Sequence, residues 1–133
     1  MHDTFKNFYL LRAIEAELAN GENKLLASRL IVEDVTLMKF IIERIVSNTE
    51  LKVSLLALIK NSKTDKSFES VTAAANAISL LVGAKHSFSG EDLSNISIKG
   101  ANIKNGIFHY TDLTGADLTD VDMTNTNLVS ANL

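Results

Sequence analysis

The chain reads as an α+β fold, with an all-α part over residues 1–84 set against a short coil of five-residue repeats over residues 85–133. Three observations lead there. A bulky apolar residue recurs at every fifth position late in the chain: Phe88, Leu93, Ile98, Ile103, Phe108, Leu113, Leu118, Met123, Leu128 and Leu133. A period of five fits neither a helix nor a flat strand, so it marks a repeat architecture. Before residue 85 the apolar residues follow helical spacing, and the absence of proline suits helices of some length.

The repeat explains itself in terms of backbone geometry. Two positions before each apolar centre stands a mostly small residue, such as Ala101, Gly106, Ala116 or Ala131. Alternation puts that residue and the centre on one side of an extended segment, and the residue between them on the other. That outward position is mostly Asp or Asn: Asp92, Asn102, Asp112, Asp117, Asp122, Asn127 and Asn132. Two positions after the centre a turn former is common, including Gly90, Asn95, Gly100, Asn105, Gly115, Asp120 and Asn125. Such residues tolerate backbone conformations that others avoid. Segment and bend repeated every five residues wind the chain into a coil with a filled interior.

Ala101-Asn102-Ile103-Lys104-Asn105 and Ala116-Asp117-Leu118-Thr119-Asp120 resemble the A-(D/N)-L-x-x unit of the pentapeptide-repeat family. The resemblance implies a right-handed quadrilateral β-helix with residues twenty apart stacked. Phe88 then lies over Phe108 and Leu128, and Leu93 over Leu113 and Leu133. Ten centres make about two and a half coils, a stub about 12 Å tall. Ile96, Gly106-Ile107 and Tyr110 depart from the pattern around Phe108. An uncovered coil end exposes core side chains and unpaired backbone groups. The helical part is expected to cover the first coil. The last coil has no cap in this sequence, so it is expected either to meet another chain, as in a homodimer through the open C-terminal coil, or to belong to something longer.

The first helix is expected from a cap at Asp3 or Thr4 to about residue 19, with Phe8, Leu11, Ile14 and Leu18 on one face and Asn20-Gly21 as its stop. A second is expected over about 22–32, with Leu26 and Leu30 inward. Asp34 caps a third, to about residue 47, striped by Met38, Ile41, Ile42 and Ile45. Asn48 or Thr49 caps a fourth, to about residue 61, carrying Leu51, Leu55, Leu58 and Ile59. After a polar connector, Thr64 or Asp65 starts a fifth, to about residue 82, with Phe68, Val71, Ala75, Ile78 and Val82 as its stripe. Beside that stripe the run Ala73-Ala74-Ala75-Asn76-Ala77 permits close approach. This helix is expected to pack across the first coil near Phe88 and Leu93. Short helices buried on two sides resemble an armadillo- or HEAT-like stack. Taken together, residues 25–46, 60–65, 73–78 and 88–93 resemble the connector of NACHT-type signalling NTPases, in which helices lead into pentapeptide repeats. That resemblance implies a link between an NTPase and a sensor, neither of which this chain contains.

Composition narrows the function classes. The net charge is −3. Residues 1–85 carry 11 Lys/Arg against 10 Asp/Glu, whereas residues 86–133 carry 2 against 6. No basic footprint for nucleic acid exists. Cysteine is absent, and no signal peptide or membrane-length apolar run is present, so a cytoplasmic protein is expected. His2, His86 and His109 share no metal-ligand spacing with one another or with nearby carboxylates. His86 reads as a junction residue. His109 and Tyr110 form a candidate surface contact, although an exposed pair on a bend is the blander account. Stacked Asp92 and Asp112 could hold a cation or do acid–base work, but a structural ladder of hydrogen bonds accounts for them better. Lys99 and Lys104 read as solubilising charges. No phosphate loop or nucleophile elbow is present.

The expected function is therefore a non-catalytic structural or protein–protein interaction module of a larger signalling or effector protein. No catalytic, cofactor or metal residues are assigned; the ten centres are its structural core. The alternative, implied for some pentapeptide proteins, is a DNA-mimicking inhibitor of a topoisomerase. The acidic repeat half favours it and the short coil opposes it. An enzyme with an unrecognised site would need a cluster of perturbed carboxylates or histidine, which the sequence does not offer.

Overall fold

The computed structural model describes residues 2–133. Five helices come first: α1 (His2–Ala19), α2 (Lys24–Ser28), α3 (Val35–Ser47), α4 (Thr49–Asn61) and α5 (Phe68–Gly83). Helix α5 is the centre. Helices α2, α3 and α4 pack against it, and α1 lies outside, chiefly on α3. Every residue of α5 from Ser70 to Val82 except Val71 is buried, because neighbouring helices and the coil cover it together. The alanine run makes this possible: Ala73, Ala74, Ala75 and Ala77 carry too little side chain to hold neighbours away.

Helix starts follow local chemistry. The Asp34 carboxylate accepts the Leu37 N–H at the start of α3, and the Asn48 side chain accepts the Leu51 N–H at the start of α4. Ser67, rather than Thr64 or Asp65, caps α5 by accepting the Ser70 N–H. Asp65 instead accepts the Ser67 N–H. Helix α2 is much shorter than expected, since the backbone is already extended at Arg29. Its loose end is held by Asn76, whose Nδ2 donates to the Leu26 and Arg29 carbonyls while its Oδ1 accepts the Ile31 N–H, all at 2.8 Å. Three apolar residues expected inward face out: Phe8, Leu30 and Phe68. The Arg12 guanidinium lies 5.8 Å from the Phe8 ring centre, close enough for cation–π attraction on the surface.

The structure is not the expected quadrilateral β-helix beneath an armadillo- or HEAT-like bundle. The described residues hold five helices and no strand or sheet, with α2, α3 and α4 packed on α5 and α1 on α3. After α5 the chain is a succession of turns. Its cross-links are six isolated parallel bridges between residues twenty apart: Ser87 with Ile107, Asp92 with Asp112, Ser97 with Asp117, Asn102 with Asp122, Ile107 with Asn127, and Asp112 with Asn132. The reason is a bend every five residues. Positive φ recurs at Gly90, Asn95, Gly100, Asn105, Tyr110, Gly115, Asp120, Asn125 and Ser130. Each bend ends the extended backbone before a second bridged residue can join the first.

Candidate interaction surface

Each bend of the coil is closed by a bond from the N–H three residues after the centre to the centre's own carbonyl, as from Glu91 to Phe88, Ala101 to Ile98 and Ala116 to Leu113. The positive-φ residue is the third of these four, the position that favours Gly or Asn. At the outward position Asp92, Asp117 and Asp122 each accept the N–H and the hydroxyl of the residue two further on, namely Ser94, Thr119 and Thr124. Asp112 accepts the Thr114 N–H at 2.9 Å. The hydroxyl bonds, then the N–H bonds, hold all four carboxyls below the usual carboxylate range. The coil therefore keeps a fixed negative outer surface at neutral pH.

Inside, the centres form a gradient. Phe88, Leu93, Ile98, Ile103, Phe108 and Leu113 are buried. Phe88 and Phe108 stack with ring centres 5.1 Å apart and planes 9° apart. Leu118 and Leu128 are half-buried, while Met123 is 37% and Leu133 72% exposed. The departure at Gly106 has a steric reason: a Cβ there would come within 2.5 Å of the Phe108 ring. A small neighbour is what admits the large centre.

The two ends of the coil differ. At the first turn, side chains from the helical part take up backbone groups that have no coil above them. Ser62 Oγ accepts the Ser97 N–H, and Ser79 Oγ accepts the Asn102 N–H. Each hydroxyl also donates back to its own segment, to Ile59 and Ala75 respectively. Lys63 Nζ donates to the Asp92 carbonyl, and Lys66 Nζ to the Asn95 carbonyl and to Ser97 Oγ. At the last turn no such partners exist among the described residues. The N–H groups of Ile98, Ile103 and Phe108 donate to Asp117, Asp122 and Asn127 one turn on, but those of Leu118, Met123 and Leu128 make no comparable bond. The carbonyls of Ala116, Val121 and Thr126 are equally open. Sequence reasoning named the centres but missed Ser62, Lys63, Lys66, Asn76 and Ser79. Only a lone polar residue within an alanine run hinted at Asn76.

His109 and Tyr110 lie side by side, ring centres 5.9 Å apart and edge to face. Tyr110 is 67% exposed and holds a positive φ of 60°. His86 lies at the junction after α5, 4.7 Å from the Phe88 ring centre, with its Nε2 buried and without a hydrogen-bond partner. Among the described residues no group of three or more His, Cys, Asp or Glu is placed to hold a metal ion, and no helix is long and apolar enough to cross a membrane.

The comparisons agree with the repeat. Residues 96–133 match the model for pentapeptide repeats in eight copies. No curated protein and no solved structure matches the chain.

Proposed function

We propose that the chain is a non-catalytic protein–protein interaction module that engages its partner through the last turn of the coil. The observation that carries this reading is the open edge at residues 116–133. Its free N–H and carbonyl groups alternate, and apolar Met123 and Leu133 are exposed beside them. Exposed main-chain groups of this kind are templates for pairing with another chain. A second copy is one such partner, since the edge offers both donors and acceptors. The resemblance to the connector of NACHT-type signalling NTPases supports an interaction role over a catalytic one.

Light scattering across a concentration series tests the edge directly. A dimer is expected at tens of micromolar protein, roughly the range open to a modest interface, and Met123→Lys is expected to dissociate it. A monomer at every concentration would remove the homodimer. A second reading, the DNA-mimicking topoisomerase inhibitor, draws on the ionised outer surface at Asp92, Asp112, Asp117 and Asp122. Inhibition of gyrase supercoiling at micromolar protein would favour it.

A further inference from the structure

We propose that the groove between α3, the residues just after α5 and the coil at Lys104 is a docking site for an acidic peptide segment with an apolar anchor. The inference rests on the interaction-module reading but uses a different surface. The groove has a volume of about 280 Å³, and its charged lining residues are Lys39, Lys85 and Lys104. No carboxylate lines it. Other grooves mix their signs: one sets Arg12 and Arg44 against Glu15 and Glu50, and another sets Lys66 and Lys99 against Asp117 and Asp120. A rim of only positive charge is thus a local departure in a chain of net charge −3.

The lysines come from three separate elements, so the fold alone brings them together. The Lys85 backbone is pinned just past α5, with φ 67° and its N–H donating to the Val82 carbonyl. The Lys104 ammonium lies 3.5 Å from an Asp122 carboxylate oxygen, which partly neutralises it. Lys39 and Lys85 have no ion-pair partner among the described residues, so charge recognition falls chiefly to them. Between the lysines the lining is apolar. Val35 is 69% exposed, and Met38 and Ile42 are half-buried. An apolar surface rimmed by one sign of charge fits an apolar side chain flanked by carboxylates. At this volume the groove lies at the small end for a cofactor-sized ligand but has room for a side-chain anchor. The acidic coil beside it disfavours nucleic acid.

The test uses the full chain and a fluorescein-labelled octapeptide with a central Leu-Phe pair flanked by glutamates. The same peptide with lysines for the glutamates is the control. Anisotropy is expected to rise with the acidic peptide only, with a Kd on the order of 10–100 μM for so small a contact. The double variant K39E/K85E is expected to weaken binding at least about tenfold, since rim charges act through complementarity. Both lysines are exposed, so the variant should melt like the parent, and light scattering on it reads self-association independently. Amide shifts at Val35 and Met38 should locate the peptide. Several results would overturn the proposal: no binding at 500 μM peptide, roughly the weakest contact worth calling specific; equal binding by the variant; equal binding of the lysine peptide; or capture by anionic vesicles or duplex DNA without the peptide.

Discussion

Asn76 and Tyr110 show how single side chains set terms for this fold. Asn76 is fully buried and satisfies two carbonyls and one N–H of a chain segment some fifty residues earlier. Asn76→Ala leaves all three groups buried or half-buried without a partner, at roughly 1–3 kcal/mol each. The expected loss is about 3 kcal/mol or more, read as a lower urea midpoint. Tyr110 sits where other bends have Gly, Asn, Asp or Ser, and a bulky residue in the left-handed region is disfavoured by roughly 1–2 kcal/mol. Tyr110→Asn is therefore expected to raise stability by about 1 kcal/mol. A lower melting temperature would instead mean that the ring's contact with His109 outweighs the backbone strain. Tyr110 was legible in the sequence as a departure from the turn pattern. Asn76 was not legible as a clamp, because its partners are distant in sequence.

At the scale of elements, the junction between α5 and the coil has a pH dependence that can be derived. Burial holds the His86 imidazole below its ordinary pKa of 6.5; Glu91 on the coil opposes this, and Lys52 on α4 adds to it. The folded state therefore favours the neutral ring, whereas the unfolded chain binds a proton more readily. Stability is fully present above about pH 6.5 and falls as pH drops through the depressed folded value. The buried Nε2 beside Phe88 gives the physical reason, since a proton there would have no acceptor. Urea melts between pH 7.5 and 5 should show the loss in the parent, and His86→Phe should flatten it. A parent curve already flat across that window would mean that folding does not hold the His86 ring neutral. The coil carboxylates do not confuse the reading, because their depressed values act only at lower pH. His86 was readable as a junction residue. Its burial was not, because that depends on the fold bringing neighbours such as the Phe88 ring against it.

Over the whole chain, the burial of the centres falls from the first turn to residues 118–133. Leu113 is 3% exposed, and Leu113→Asp places a charge where no partner waits. Such changes belong to the severe class, beyond about 4 kcal/mol, and should abolish cooperative melting of the coil and expose it to limited proteolysis. Leu133→Asp, at an exposed position, should leave the monomer's melt within about 0.5 kcal/mol. Equal effects at the two sites would mean that the coil is not closed at one end and open at the other. The helical stripes were partly readable: Leu55 and Ile41 are buried as their spacing required, but Phe8, Leu30 and Phe68 are not. Periodicity gives a face, and only the arrangement of neighbours decides whether anything covers it.

The sequence by itself determined the five-residue period and the turn at each repeat. These are local matters of side-chain size and of which residues accept a positive φ. Tertiary structure alone decided that the turns pair through single bridges without forming a sheet. It also decided that Ser62, Ser79, Lys63 and Lys66 take up the edge of the first turn, and that three lysines from separate elements share one groove. The physical reason is separation along the chain. Ser62 meets Ser97 across 35 positions and Asn76 meets Leu26 across 50, so no local pattern records either contact. Each exists because a buried backbone group without a partner is costly, and packing brought a suitable side chain within reach.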